Sequence, residues 1–132
     1  MLAVAAACLP PDWSLVRGDA RRLRLSDESF DVVSACYLLH LLGRDDRTHV
    51  LREMARVLRF GGRAVMVTVQ SRRPVARTLL ERLPRRSGLR ALDPACELDA
   101  AGLRPLRARF VSSGWPSLCV LAERPPAAST RP

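Results

Sequence analysis

A β-strand, a helix and a second β-strand are predicted in immediate succession between Phe30 and Val69. The run FDVVSACYLL is apolar almost throughout and opens with β-branched residues, which is typical of a strand covered on both faces. The run RAVMVTV, residues 63–69, has the same character. Two strands joined through a helix pair in parallel, with a right-handed crossover. This βαβ unit constrains the fold more than any other feature of the sequence.

The helix between these strands has a recognisable beginning, one apolar face and a glycine stop. Asp45 and Asp46 are placed to accept hydrogen bonds from the first backbone N–H groups and to meet the positive end of the helix dipole. We predict that Gly61 and Gly62 end the helix, since glycine readily adopts the left-handed conformation of a helix stop. The apolar residues at helical spacing are Val50, Leu51, Met54, Val57 and Leu58.

The segments on either side of the βαβ unit have weaker patterns. A very short Ala-rich helix is predicted at residues 2–8, where a proline pair ends it, and a short strand at residues 13–17. Beyond Gln70 we predict a helix at residues 74–83 and then an Arg-, Gly- and Pro-rich loop at residues 84–94.

The C-terminal part of the chain is predicted to close the sheet with an antiparallel hairpin. After a short helix in CELDAAG, two strands at residues 106–111 and 118–122 are joined through SSGWP. The final RPPAASTRP is typical of a frayed tail. We therefore expect one partial domain at residues 1–124 and a disordered tail at residues 125–132.

The basic charge of the chain is a poor indication of nucleic-acid binding. The net charge is +9 over 132 residues, but all 22 basic residues are arginine and the chain has no Lys, Asn or Ile. Since the codons of those three residues are rich in A and T, a G/C-biased genome accounts for the composition. The arginines are scattered in short groups, and only 5% of residues are aromatic, which leaves few platforms for base stacking. Nucleic acid is therefore a disfavoured partner.

The cysteines and histidines carry no metal signature. The four cysteines form no CxxC pair, and the two histidines add no ligand spacing, so no metal site is predicted. Cys36 and Cys119 lie in apolar runs and are expected to be buried free thiols in a reducing compartment. The N-terminal MLAVAAACLPPDW lacks the basic region of a signal peptide, and no segment approaches the roughly 20 apolar residues of a membrane span. These features predict a cytoplasmic protein with no membrane partner.

Several phrases of the sequence occur in a familiar order: ML.VA, LVRGDARRLRLSDESFDVV, LHLL, DR..VLREMARVLRFGGRAVMV, and LDAAGL before a hairpin ending AERP. In this order the chain resembles the class I S-adenosylmethionine-dependent methyltransferases. The resemblance is strongest to the ubiquinone/menaquinone-biosynthesis-like group, the methyltransferase type 11 domain, and it spans nearly the whole chain. It implies an α/β, Rossmann-like sheet that is mainly parallel with a C-terminal antiparallel hairpin. It also implies S-adenosylmethionine as cofactor, S-adenosylhomocysteine as product, and a small-molecule methyl acceptor.

The resemblance further implies positions for the cofactor-binding residues. The Asp19 carboxylate would take the adenine amino group, and the backbone N–H of Ala20 would meet the adenine ring. Cys36 would line the methionine part of the cofactor. His40 would lie close to the sulfonium and the acceptor, where it could orient the substrate or act as a base. The structural alternatives stay open: a turn residue for Asp19, a buried thiol for Cys36 and a packed, hydrogen-bonded side chain for His40.

The family resembled has elements that this sequence lacks. A first strand, a glycine-rich turn, a helix and a second strand with a ribose-binding acid should all precede the residue that matches Met1. The family's strand order, 3-2-1-4-5-7-6, would leave two vacant lanes of about 4.8 Å each between residues 13–17 and 30–36. We therefore expect an N-terminally truncated domain that is inactive alone, with bare strand edges open to self-association or a partner subunit.

Three explanations of this arrangement remain open. The first is a fragment, or a misplaced start site, of a working methyltransferase, with Met1 internal to the family's helix. The second is a non-catalytic, methyltransferase-like partner subunit whose missing strands come from another chain. The third is an Arg-rich nucleic-acid-binding module with incidental resemblance.

Overall fold

A mixed four-stranded sheet forms the centre of the protein. The structure, a computed structural model, describes residues 4, 7–69, 94–111 and 116–126. The sheet has the strand order β1-β2-β4-β3. In chain order the elements are β1 Phe30–Cys36, a 3₁₀ turn Leu39–Leu41, helix α1 Arg44–Val57, β2 Leu58–Val69, helix α2 Pro94–Asp99, β3 Arg104–Val111 and β4 Ser117–Glu123.

The predicted βαβ unit is confirmed. β1 and β2 are parallel neighbours, and α1 connects them. Asp45 and Asp46 lie in the first turn of α1, where their charge is favourable at the positive end of the helix dipole, but the N-cap residue is Gly43 and makes no side-chain capping hydrogen bond. The predicted apolar stripe of the helix is buried at Val50, Leu51, Met54 and Val57.

The prediction that the glycine pair ends this helix is wrong. The helix ends at Val57, and the next residue, Leu58, already has extended backbone and begins β2. No left-handed cap is needed because the chain before β1 satisfies the last carbonyls: the N–H groups of Glu28 and Ser29 bond to the carbonyls of Arg56 and Val57, at 3.0 and 2.9 Å.

The glycines instead shape an irregularity within β2. The register jumps there, since Phe30 pairs with Leu58 but Val32 pairs with Arg63. Gly61 has a φ of 78°, in the left-handed region. A Cβ atom on Gly62 would lie 2.8 Å from the carbonyl oxygen of Arg59, so the close backbone approach requires glycine.

The C-terminal hairpin is also confirmed. β3 and β4 are antiparallel, and β4 lies between β2 and β3, so the sheet combines one parallel pair with two antiparallel ones. The short helix predicted in CELDAAG is present as α2. The predicted helix at 74–83, nearly all of the loop at 84–94, most of the N-terminal helix and most of the tail lie outside the described residues.

The strand predicted at residues 13–17 is wrong. These residues form no strand and are exposed, with Trp13 64% and Val16 75% accessible. A strand needs a neighbour for its ladder of hydrogen bonds, and no described strand lies beside this segment. The following residues are held on α1 instead, where Glu53 accepts a hydrogen bond from the backbone of Leu23 at 2.6 Å.

One face of the sheet is covered by helices and holds the core, while the opposite face stays partly accessible. Buried side chains of the core alternate along the two central strands at Ala64, Met66, Leu118, Val120 and Ala122. On β1 only Ala35 is buried, and Val32 on the opposite face is 59% exposed. The expectation that β1 is covered on both faces is therefore wrong. So is that of buried thiols, because Cys36 is exposed and Cys119 is only partly buried.

Candidate functional site

The candidate site lies where the two parallel strands end. Cys36 is the last residue of β1, and the backbone N–H of Tyr37 continues the ladder to the carbonyl of Val67 at 2.7 Å. The 3₁₀ turn containing His40 follows, and α1 begins at Arg44. In open α/β sheets, ligands bind in the crevice outside the carboxyl ends of the strands. Cys36 and His40 therefore lie at the end of the sheet where ligands bind in this class of fold.

His40 is a buried histidine with an unsatisfied nitrogen. Its side chain is only 6% exposed, and within the part of the chain described its Nδ1 atom has no hydrogen-bond partner. Burial lowers the pKa of this imidazole below its ordinary value, so it is neutral near pH 7. A buried polar atom without a partner costs free energy, which marks a place where a ligand or water would complete the bonding.

Tyr37 lies against this imidazole. The two ring centroids are 6.3 Å apart and the rings are nearly perpendicular, at 85°, a favoured edge-to-face arrangement. The tyrosine hydroxyl is 3.2 Å from Oγ of Ser117, the first residue of β4. The Oγ1 atom of Thr68, fully buried near the end of β2, also has no hydrogen-bond partner among the described residues. Several hydroxyl groups therefore gather around the carboxyl end of β2.

Asp19 lies in a turn and is engaged by a neighbouring arginine. Its Oδ1 accepts a hydrogen bond from the backbone N–H of Arg21 at 2.9 Å, and its Oδ2 accepts one from the guanidinium of Arg21 at 2.8 Å. Side-chain hydrogen bonds from Arg21 are the main cause that lowers the pKa of Asp19 to about 2. The turn closes with the N–H of Arg22 on the Asp19 carbonyl at 3.0 Å. The structural role considered for Asp19 is thus real, and the carboxylate is ionised at neutral pH.

Arg21 also ties this turn to the end of the sheet that carries His40. Its second guanidinium nitrogen, Nη1, lies 3.2 Å from Oδ1 of Asp46, in the first turn of α1. The first turn of α1 follows directly from the His40 turn. Ala20 is partly buried and packs against the core. No hydrogen bond joins Asp19 directly to Cys36 or His40 within the described ranges, so the connection runs through α1.

The path of the chain after Asp19 is fixed by hydrogen bonds along α1. Arg56 donates to the carbonyls of Leu23 and Leu25, at 3.0 and 2.9 Å, and to the carboxylate of Glu53. Hydrogen bonds from Arg56 are also the main cause that lowers the pKa of Glu53. These contacts hold the segment parallel to α1, with Leu25 near the end of the helix and Arg21 near its first turn, so Asp19 and Ala20 lie at the N-terminal end of α1.

A buried ion pair joins α1, which follows the His40 turn, to α2. The guanidinium of Arg47, in α1, donates from Nε and Nη2 to the two oxygens of Glu97, in α2, at 2.7 and 2.8 Å. Both side chains are buried, with 4% and 7% exposed. A two-point pair of this kind fixes both distance and orientation, so the start of α1 is held against α2.

Sequence reasoning missed Tyr37, Ser117 and the Arg47–Glu97 pair. Tyr37 has a φ of 54°, which a non-glycine residue seldom adopts and which no sequence pattern announces. Ser117 and Glu97 come from segments 80 and 50 residues further along the chain than their partners. The only available signal for Tyr37 was its position directly after a strand that ends at the ligand-binding edge.

Among the described residues, no group of three or more His, Cys, Asp or Glu side chains has an arrangement that would hold a metal ion. None of the described helices is long and apolar enough to cross a membrane.

Comparison with known proteins identifies the sequence family. The profile of a family described as "Methyltransferase domain" matches residues 1–66, half of the chain. The phosphatidylethanolamine N-methyltransferase of Cereibacter sphaeroides is 44% identical over 59 residues. That match covers 45% of this chain but only 28% of the relative, so this chain corresponds to a minor part of the relative's length.

Solved structures share the fold at low sequence identity. The cyclase SpnF matches with a TM-score of 0.75 and 20% identity over 96% of this chain, which spans 63% of the cyclase. The putative methyltransferase in complex with the Trm112 activator of Haloferax volcanii has a TM-score of 0.75 at 16% identity, covering 96% of this chain and 68% of that one. An S-adenosylmethionine-dependent methyltransferase of Methanosarcina mazei has a TM-score of 0.67 at 15% identity, covering 95% and 76%. The predicted Rossmann-like methyltransferase sheet is thus confirmed.

Proposed function

The chain belongs to the methyltransferase domain family, and on that premise we propose that it takes part in methyl transfer from S-adenosylmethionine to a small-molecule acceptor. The observation that carries the proposal is the buried, unpartnered Nδ1 of His40 at the carboxyl end of β1, inside the segment that the family profile matches. A neutral histidine with free hydrogen-bonding capacity suits a site that orients an acceptor or takes its proton.

The proposed roles follow from the chemistry of each group. Asp19 is ionised, and its carboxylate accepts a hydrogen bond from the adenine amino group, which replaces one of the four hydrogen bonds that Arg21 donates to it. The backbone N–H of Ala20 meets the adenine ring, and Cys36 lines the methionine part. The cofactor, when bound, supplies a methyl group on a sulfonium that is already a good leaving group. His40 therefore needs only to align the acceptor and, for oxygen or nitrogen acceptors, to remove a proton.

The described residues supply one side of such a site. The sequence contains no glycine-rich turn of the kind that brings backbone N–H groups against a nucleotide cofactor. We therefore propose that these residues alone bind the cofactor weakly, and that a glycine-rich segment from elsewhere raises the affinity to a working level. The outer edge of β1 is the place where such a segment would join the sheet.

A titration with S-adenosylhomocysteine tests the proposal. Replacing Asp19 with Ala removes the adenine contact, and we expect a loss of about 1 to 3 kcal/mol in binding free energy, measured by calorimetry. Asp31→Ala is the matched control: Asp31 is an exposed carboxylate at the start of β1, also paired with an arginine, at 2.7 Å. Equal affinities for wild type and Asp19→Ala would contradict the adenine role.

The alternative, a non-catalytic methyltransferase-like partner subunit, predicts a different result. In that case the chain copurifies in fixed ratio with a cofactor-binding protein, and His40→Ala leaves the activity of the complex unchanged. Under the catalytic proposal His40→Ala lowers the rate of methyl transfer. A nucleic-acid-binding module would be indicated by salt-dependent retention on DNA.

A further inference from the structure

Tyr37 is held in a backbone conformation that its own chemistry disfavours. Its φ of 54° lies in the left-handed region, and only one other described non-glycine residue, Glu28, has a positive φ. Such a conformation persists only where surrounding contacts impose it, and it is concentrated at functional sites. The contacts of Tyr37 therefore indicate what the conformation is for.

The side chain of Tyr37 reaches across the end of a neighbouring strand. Its hydroxyl meets Ser117 in β4, yet β4 is separated from β1 by β2. Adjacent strands lie about 4.8 Å apart, so the Tyr37 side chain, its hydrogen bond and the Ser117 side chain together bridge two strand spacings. Strand alternation would place residue 37 on the helix-covered face with Ala35, and Ser117 pairs with Val69, whose side chain lies on the opposite face. The left-handed backbone is what directs the phenol to Ser117.

The other end of this contact is firmly placed. Ser117 is buried, with 4% exposed, and pairs with the last residues of both β2 and β3, Val69 and Val111. Tyr37 itself is 48% exposed, so one side of its ring borders solvent while its edge contact reaches the buried imidazole of His40. The Tyr37 hydroxyl therefore meets a buried residue of β4, while its ring contacts the imidazole that has the unsatisfied nitrogen.

We propose that Tyr37 is a positioning residue: its phenol, anchored on Ser117, holds the imidazole of His40 in one orientation at the end of the sheet. Only the role of His40 in methyl transfer rests on the proposed function. The coupling from Ser117 through Tyr37 to His40 is a property of the protein without any ligand.

Proton–carbon correlation spectra of the imidazole test this coupling. A His49→Gln background leaves His40 as the only histidine, since the chain has two. Spectra are recorded at alkaline pH, where the imidazole is neutral. Tyr37→Phe and Ser117→Ala each remove one half of the anchoring bond, and we expect the same shift and broadening of the His40 ring signals in both. The double variant adds nothing further, and Tyr37→Leu, which removes the ring, gives the largest change.

The matched control is Ser34→Ala, which deletes an exposed hydroxyl from β1, the strand that Tyr37 follows, and should leave the His40 signals unchanged. Circular dichroism confirms that each variant is folded, and Tyr37→Phe keeps the ring and perturbs the fold least. Unchanged His40 signals in Tyr37→Phe and Ser117→Ala, or effects that add in the double variant, would overturn the proposal.

Calorimetry with S-adenosylhomocysteine on the same variants separates this inference from the proposed function. If wild type does not bind the probe but the coupled spectral changes occur, the positioning role stands and the proposed function fails. If the probe binds and the spectral changes are absent, Tyr37 has no positioning role and the proposed function is unaffected.

Discussion

The two outer strands of the sheet, β1 and β3, differ in how well their sequences protect an exposed edge from pairing with another strand. β3 carries Arg104, Pro105, Arg107 and Arg109, with a register irregularity between Pro105 and Arg107. Positive charge, proline and bulges are the devices that natural sheets use to keep a free edge from pairing. β3 is therefore protected as a genuine edge of the sheet.

β1 has almost none of this protection. Its only charged residue is Asp31, already paired with Arg59, and the segment from Val32 to Cys36 has no charge, proline or bulge. Because Tyr37 directs its N–H to β2, alternation turns the backbone groups of Val32, Ser34 and Cys36 outward. Within the described residues β1 is nevertheless an outer strand of the sheet. The sequence of β1 is therefore suited to a strand with a neighbour on each side, whereas that of β3 is suited to an edge.

The largest difference in stability between the two sides of the sheet is expected when the buried ion pair between α1 and α2 is removed. Glu97→Ala leaves the buried guanidinium of Arg47 without its carboxylate, and we expect a loss of about 3 to 5 kcal/mol in the free energy of unfolding. The exposed pair at β1 is the control: Asp31→Ala should cost under about 1 kcal/mol. Urea denaturation of both variants measures the difference. Similar losses would show that the β1 side is as tightly built as the α1–α2 side.

The two faces of β2 allow the same test within one strand. Met66 is fully buried under the helices, so Met66→Ala should cost about 2 to 5 kcal/mol. Val67 lies on the opposite, partly accessible face, and Val67→Ala should cost about 1 kcal/mol. If Val67→Ala proved as costly as Met66→Ala in the same denaturation assay, the second face would be covered in the protein.

The unprotected edge predicts self-association through β1. Placing a charge there, in Val32→Arg, should lower the fraction of associated protein in sedimentation velocity. The reciprocal change at the other edge, Arg107→Val, removes one protective charge from β3 and should raise it. If the protein stays monomeric as its concentration increases and neither substitution has an effect, the two edges do not differ in their tendency to pair.

The smallest expected effect is a pH dependence from His40. Because burial lowers its folded-state pKa, the unfolded chain binds more protons as the pH falls. Its contribution to stability is therefore complete above the unfolded value near pH 6.5 and is lost progressively below it. His40→Gln should flatten this part of the stability profile between neutral pH and pH 5, measured as the free energy of unfolding at each pH. A slope in His40→Gln equal to that of the wild type would place His40 in an open environment.

The parts of the fold that the sequence predicted are those set by local pattern. The apolar stripe of α1 and the β-branched runs of β1 and β2 alone define the βαβ unit, and the hairpin follows from two apolar runs joined by a turn. The end of α1 was misplaced because its last carbonyls are satisfied by Glu28 and Ser29 rather than by a glycine cap. The strand at residues 13–17 failed because a strand depends on a neighbour, which its own residues cannot supply.

The candidate site was predictable in outline only. Asp19, Cys36 and His40 follow from their places in the resemblance. The engagement of Asp19 by Arg21, the positive φ of Tyr37 and the contact with Ser117 depend on the folded arrangement of distant segments. Their roles toward the cofactor stay predictions.

The central claim is that one end of the sheet, from Asp19 to His40, forms a wall of a cofactor site. Amide and imidazole signals followed by nuclear magnetic resonance during a titration with S-adenosylhomocysteine test it directly, even at weak affinity. We expect saturable shifts at Asp19, Ala20, Cys36 and His40, with β3 unaffected. Shifts confined to β3 or to the outer face of α1, or no shifts at the highest attainable concentration, would contradict it.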